Sequence, residues 1–392
     1  MKKKYTVEDL FEVASGSTPS TNVESYWSAN GNGIKWITPK DLSKLEGSYI
    51  LDTERKITQD GLNSCSARLI PKGSIILSSR APIGYVAVMN DEMACNQGCK
   101  ALIPRKSKEL DPLYFYYLFL TKEKELNNLG SGSTFKELSK TKLEEFQIEI
   151  HDLKTQQEIA YVLEQADKAR QQRKAANALT DQFLQSSFLS LFGDPVKNEK
   201  GWKVKTLEAV CDKITDGTHH SPENLEEGDY KYITAKNIKE EGILLDNISY
   251  VKAEAHKAIY SRCNPEFEDV LYIKDGVTTG IAVVNHLKEE FSMLSSVALL
   301  KCDRKILSPY FLAAYLNNQS VYEGIRKNMG GAAITRLTLQ KINAIKLILP
   351  PLSLQQQFAG IVAQTEQLRQ KQRESERELE NLFQALLQKY FR

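Results

Sequence analysis

The chain has 392 residues, 41% of them hydrophobic, which is enough apolar material for two domains of ordinary size. Aromatic and β-branched residues are spread throughout, which excludes a disordered chain. The formal net charge is only +2, so composition gives no pointer to nucleic acid; a near-neutral chain binds DNA only if its basic residues share a face or partner subunits hold most phosphates.

In chain order, Lys2-Lys3-Lys4 makes a basic tip without the apolar h-region of a signal peptide. Short runs rich in Ile, Val and Tyr then alternate with turns such as Asn30-Gly31-Asn32-Gly33, predicting a strand-rich region. A short helix is predicted near 112–121. Its apolar run, Tyr114 to Leu120, is too short to span a bilayer, so a soluble, cytoplasmic protein is expected. Thr155-x-x-Glu158 reads as a capping box opening a long helix, which Phe192-Gly193-Asp194-Pro195 ends. A second strand-rich region follows, with turns such as Lys274-Asp275-Gly276 and a short helix near 309–317. Ser353-x-x-Gln356, just after Pro350-Pro351, then opens a helix running to about the last residue. Each long helix is about 35 residues, or roughly 50–55 Å at 1.5 Å per residue.

This order is a repeat. Leu153-Lys154-Thr155-Gln156-Gln157 aligns with Leu352-Ser353-Leu354-Gln355-Gln356. Upstream, Trp36-Ile37-Thr38-Pro39-Lys40-Asp41-Leu42 resembles Tyr232-Ile233-Thr234-Ala235-Lys236-Asn237-Ile238. Gly73 to Leu77 resembles Asp269 to Ile273, and Lys274-Asp275-Gly276-Val277 replaces Ser78-Ser79-Arg80-Ala81. Gly132-Ser133-Thr134 and Gly331-Ala332-Ala333 correspond. Two long copies are too few for a solenoid and predict a pseudo-two-fold molecule.

A long amphipathic helix needs a partner. Heptad paths run through Val162, Ala166, Ala169, Arg173, Ala176, Thr180, Phe183 and Ser187, and through Ile361, Thr365, Leu368, Gln372, Ser375, Leu379, Leu382 and Leu386. The duplication favours antiparallel pairing inside one chain over homodimerisation. The expected fold is therefore α+β: two similar mixed α/β domains, 1–152 and 195–351, with long helices at 153–194 and 352–392 forming an intramolecular antiparallel coiled coil.

Catalytic motifs are missing. Asn264-Pro265-Glu266-Phe267 lacks a proline of the amino-methyltransferase element and has no glycine-rich cofactor loop before it. Trp36 occupies the place of the third glycine after Gly31-x-Gly33, and no phosphate loop is present. The six cysteines, Cys65, Cys95, Cys99, Cys211, Cys263 and Cys302, show no C-x-x-C pair and are expected as free thiols, mostly buried. His219-His220 is a poor metal clip, because adjacent side chains point apart. No catalytic residue and no metal site is predicted.

The combined order, twice over, resembles the specificity subunit of type I restriction–modification systems. It is carried by Trp36 to Leu42, Gly73 to Gly84, Asn96-Gln97, Gly132-Ser133-Thr134, the two Leu-x-x-Gln-Gln helix starts and Ile348-Leu349-Pro350-Pro351-Leu352. The resemblance implies two target-recognition domains, each reading half of a bipartite, asymmetric double-stranded DNA site, with the helices fixing the spacer. It implies two modification subunits performing adenine N6 methylation with S-adenosylmethionine, and restriction subunits, where present, using ATP with Mg. No cofactor is expected on this chain itself. Half-sites one helical turn apart lie about 34–36 Å from each other, the order of distance such helices cover.

Polar loop residues are the candidates for DNA contact: Ser17, Thr18, Lys40, Ser79, Arg80, Ser133, Thr134 and Lys136 in the first copy, and Thr218, His219, His220, Lys236, Asn237, Lys274, Thr278, Thr279 and Arg336 in the second. Arg and Lys pair with guanine or phosphate, Asn with adenine, Ser or Thr with either. For each, a turn former, cap or solvated charge is the bland alternative. The rival class is a scaffold whose duplicated modules bind proteins rather than DNA; an autonomous methyltransferase or nuclease is disfavoured by the missing motifs.

Overall fold

The computed structural model describes residues 2–28, 31–80, 82–132, 136–327, 329 and 336–392. The chain forms two compact units, Met1–Ala176 with Gln372–Arg392, and Asn177–Lys371. The boundary falls within both long helices, Leu153–Phe192 and Leu352–Phe391, and not at their ends.

In the first unit a five-stranded sheet runs in the order Phe11–Ser15, Cys99–Pro104, Ile75–Ser78, Val86–Met89, Tyr49–Ile50. A smaller sheet joins Lys56–Ile57, Ile34–Ile37 and Ala94–Cys95. Strand alternation splits the apolar residues between two cores. Val13, Ile75, Leu77 and Leu102 face helix Pro112–Thr121 and the long-helix residues Ile159 and Leu163. Ala14, Ile76, Ala101 and Cys99 face the other way, toward Ile37 and Met93.

The second unit repeats the plan with four strands, Cys211–Asp216, Val297–Cys302, Val270–Ile273 and Ala282–Val284. Its smaller sheet joins Ser249–Val251, Tyr230–Ile233 and Phe291–Met293. Strand pairing corrects the alignment read from sequence by one position. Ile75 lies opposite Leu102, and Val270 opposite Leu300. Ser79 N–H donates to Gly98 O, and Lys274 N–H donates to Ser296 O. Lys274 therefore stands where Ser79 does, and Asp275 where Arg80 does. Both strands are buried throughout and Ile75–Leu77 and Val270–Ile273 carry no charge, so a one-residue slip still matches buried on buried; only the ladder decides.

The long helices are antiparallel within each unit. In the first, Arg170 Nε donates to Glu380 Oε2 at 2.9 Å, and Ile159 and Leu163 share a core with Leu387 and Phe391. In the second, Arg369 lies 2.5 Å from Asp181, and Phe188 packs edge-on against Phe358 at 5.6 Å. At several positions the seams depart from the expected heptads. Val162, Phe183, Leu368 and Leu382 are exposed, while Leu163 and Phe383 are buried. At the helix starts, Asp152 and not Thr155 caps the first, its Oδ1 accepting from Thr155 N–H at 3.1 Å. Instead of a Ser353 capping box, the Pro351 carbonyl accepts the Leu354 and Gln355 N–H groups. Gly193, at φ +78°, ends the first helix as expected.

The paired glutamines have a structural task. Gln156 is buried, accepting from Asp111 N–H at 3.0 Å and donating to His151 O at 2.8 Å. Gln355 does the same for Ser308 N–H and for Ile306 O and Pro350 O. Each ties its long helix to the short helix of its unit. Among the described residues no helix is long and apolar enough to cross a membrane.

Candidate nucleic-acid interface

In each unit one end of the main sheet gathers loops from distant parts of the sequence. In the first, Gly16 lies so close to the turn after Ala94–Cys95 that a Cβ would fall 1.9 Å from Asn96 O. That approach carries Ser17 and Thr18 onto the turn: Ser17 N–H donates to Cys95 O at 3.0 Å, and Thr18 and Gln97 side chains hydrogen-bond. Trp36 Nε1 holds the loop through Ser17 O at 3.0 Å, so Trp36 is a core anchor. Ser79 and Arg80 end the neighbouring strand, and Leu138 N–H donates to Ser79 O at 3.0 Å, laying segment 136–138 across them. Arg80 meets Glu137 at 2.9 Å, and Lys136 is exposed beside it.

The second unit repeats this with different residues. A Cβ on Gly217 would fall 2.0 Å from Met293 O, and Thr218 N–H donates to Met293 O at 2.8 Å. Leu337 N–H donates to Lys274 O at 2.8 Å, and Arg336 Nε meets Asp275 at 3.1 Å. The strand-to-segment ion pair is therefore kept with its charges exchanged, Arg80–Glu137 against Asp275–Arg336. Beneath it Lys274 is 2% exposed, 3.3 Å from Asp216 and 3.2 Å from Asp275. Arg262 also meets Asp216, at 2.8 Å, and His219 lies 3.3 Å from it. His220 is exposed, its N–H donating to Thr218 Oγ1 at 3.2 Å.

The sequence-derived residues thus divide. Ser17, Thr18, Arg80, Lys136, Thr218, His219, His220, Arg336 and half-buried Thr278 present surface at these sheet ends. Lys40 is exposed but paired with Glu54 at 2.9 Å; Lys236 is exposed on the short turn Ala235–Asn237. Ser79, Lys274 and Thr279 are buried, and the Lys274 ammonium is taken up by Asp216 and Asp275. Asn237 is buried too, its Oδ1 accepting from Thr234 N–H at 3.0 Å, the capping duty that Asp41 performs for Thr38. Ser133 and Thr134 lie outside the described residues.

Sequence reasoning missed Asp216, Arg262, Lys142 and Lys100. Lys142 Nζ donates to Leu129 O and Ser131 Oγ at 2.8 and 2.6 Å. Lys100, in the apolar strand Cys99–Pro104, is 5% exposed, and burial lowers its pKa, opposed by Glu137 and aided by Arg80. A lone charge in an apolar strand was the available signal. The thiols carry no chemistry here: burial raises Cys95 to about 12 and Cys99 further. Among the described residues no three His, Cys, Asp or Glu gather as a metal site.

The family described as the type I restriction modification DNA specificity domain matches residues 2–179 and again 199–381. The chain belongs to that family. It is 32% identical, over 91% of its own length and 84% of the relative's, to the type I restriction enzyme MjaIX specificity subunit of Methanocaldococcus jannaschii. It is 27% identical, over 33% of its length and 27% of the relative's, to the HindI specificity subunit of Haemophilus influenzae. In fold it is similar to the type I S subunit from M. genitalium, with a TM-score of 0.63 at 17% identity, covering all of this chain and 96% of the other. A second type I restriction–modification structure gives 0.57 at 19% identity, covering all of this chain and 97% of that one. As a type I specificity subunit the chain is the non-catalytic, target-recognising component of a restriction–modification complex, acting with DNA and partner subunits.

Proposed function

We propose that each unit of this specificity subunit reads one half of a bipartite, asymmetric double-stranded DNA site. The repeated sheet end, equal in architecture and different in residues, carries this reading. Unequal side chains on an equal frame present different donors and acceptors to base edges. The first unit offers Ser17, Thr18, Arg80 and Lys136, and the second Thr218, His219, His220, Lys236, Thr278 and Arg336.

Two modification subunits are assigned to the complex, performing adenine N6 methylation with S-adenosylmethionine, joined where present by ATP- and Mg-dependent restriction subunits. The place of action is the cytoplasm. The chain with its modification partner is expected to protect two separated half-sites, with a steep salt dependence. The chain alone is expected to transfer no methyl group. Methyl transfer by the chain alone, or a complex with no affinity for DNA, would overturn the assignment and favour a protein scaffold.

A further inference from the structure

A buried ammonium with no ion-pair partner is costly, and among the described residues the first unit holds one, Lys100. Lys100 lies opposite Leu77 on one side and Ser15 on the other. It shares the sheet face of Leu102, which is core. Among the described residues it has neither a hydrogen-bond nor an ion-pair partner, yet it is 5% exposed. Its ammonium is not one of the fully enclosed unpartnered atoms, so a packed stem delivers a charged tip to a reachable point.

The surroundings do not neutralise it. The Glu137 carboxylate is engaged by Arg80 at 2.9 Å. Lys142 spends its donors on uncharged oxygens, and Lys136 is exposed nearby. The second unit solves the same problem differently. Ala298 occupies the Lys100 position opposite Asp216, and Lys274, at the Ser79 position, has two carboxylates within 3.3 Å. A lysine kept solely for the fold is satisfied from within, as Lys274 is; Lys100 is not.

We propose that Lys100 is a phosphate anchor of the first unit, its missing counter-ion being a backbone phosphate of bound DNA held with Arg80 and Lys136 at the sheet end. This rests on the DNA-recognition reading above. A phosphate contact fixes register and carries no base information.

The test uses the complex of chain and modification subunits with Lys100→Met, which keeps the stem and removes the charge. Two duplexes serve as probes, one carrying the motif found by methylome sequencing, the other of random sequence. Affinity for both is expected to fall several-fold at low salt. The slope of log K against log salt should shrink by about 0.9, one phosphate's share. The methylated motif should stay the same and the melting temperature should not fall; Lys100→Arg should keep the wild-type slope. An unchanged slope, an altered base preference or a lower melting temperature overturns the anchor. If the wild-type complex binds neither duplex, the DNA reading fails first.

Discussion

Asn237 and Lys274 look like readers in the sequence and act as builders in the fold. Asn237 accepts from the Thr234 N–H and hydroxyl, and a side chain so committed is not available to adenine. Asn237→Ala is expected to cost about 1 kcal/mol, the usual worth of a cap, and to leave the methylated motif unchanged. Thermal melting and methylome sequencing check the two halves of that statement. Lys274→Met is a sharper case, because it strips one cation from Asp216 and Asp275. A fully orphaned buried pair costs roughly 3–5 kcal/mol. Arg262 and Arg336 still reach these carboxylates, so a loss on the order of 2 kcal/mol is expected in denaturant unfolding. The contrast with Lys100→Met, whose melting point should not fall, separates a lysine serving the fold from one serving a ligand.

At the scale of elements, the pairing of the long helices is partly electrostatic. A hydrogen bond from Gln384 on its own helix, and then one from Arg170 on the facing helix, hold Glu380 below the usual carboxylate range. Its folded pKa therefore lies below the unfolded value. The stabilisation is present above about pH 4.5 and is lost as pH falls through the folded value. Glu380 is 46% exposed, so the interaction is worth about 0.5 kcal/mol. Glu380→Gln should be less stable than wild type by that amount at pH 7, and the two should converge in acid; a difference independent of pH would show that the pairing is not ionic. The elements also show where sequence patterns reach their limit. Gly193 stops its helix as its type demands. The capping boxes at Thr155 and Ser353 do not form, because Asp152 and the Pro351 carbonyl meet the first donors sooner. Heptads placed Leu382 in the seam, yet Phe383 fills it, since the neighbouring helix Pro112–Thr121 offers Tyr117 6.0 Å from that ring.

For the whole molecule the two helices must be shortened together. Antiparallel pairing sets Arg170 beside Glu380 within one unit and Asp181 beside Arg369 within the other. Deleting 173–179 together with 371–377 takes seven residues, about two turns, from each helix and keeps both ion pairs. The expected outcome is a methylated motif with unchanged half-sites and a shorter spacer, read by methylome sequencing. Changed half-sites with a constant spacer would mean that the helices do not set the distance.

The duplication, the two long helices and the absence of catalytic motifs were legible in the sequence, because periodicity and repeated order are one-dimensional properties. So was the family, since its signal is the order of many weak motifs. The tertiary structure decided what each polar residue does. Burial and hydrogen-bond partners depend on residues distant in sequence: Glu137 for Arg80, Asp216 for Lys274, Thr234 for Asn237. It also decided the register between the two copies, since apolar strands tolerate a slip in alignment that a hydrogen-bonded ladder does not. Lys100 belongs to both accounts. Its charge is plain in the sequence, and only the packing around it shows that the ammonium is buried with no ion-pair partner among the described residues.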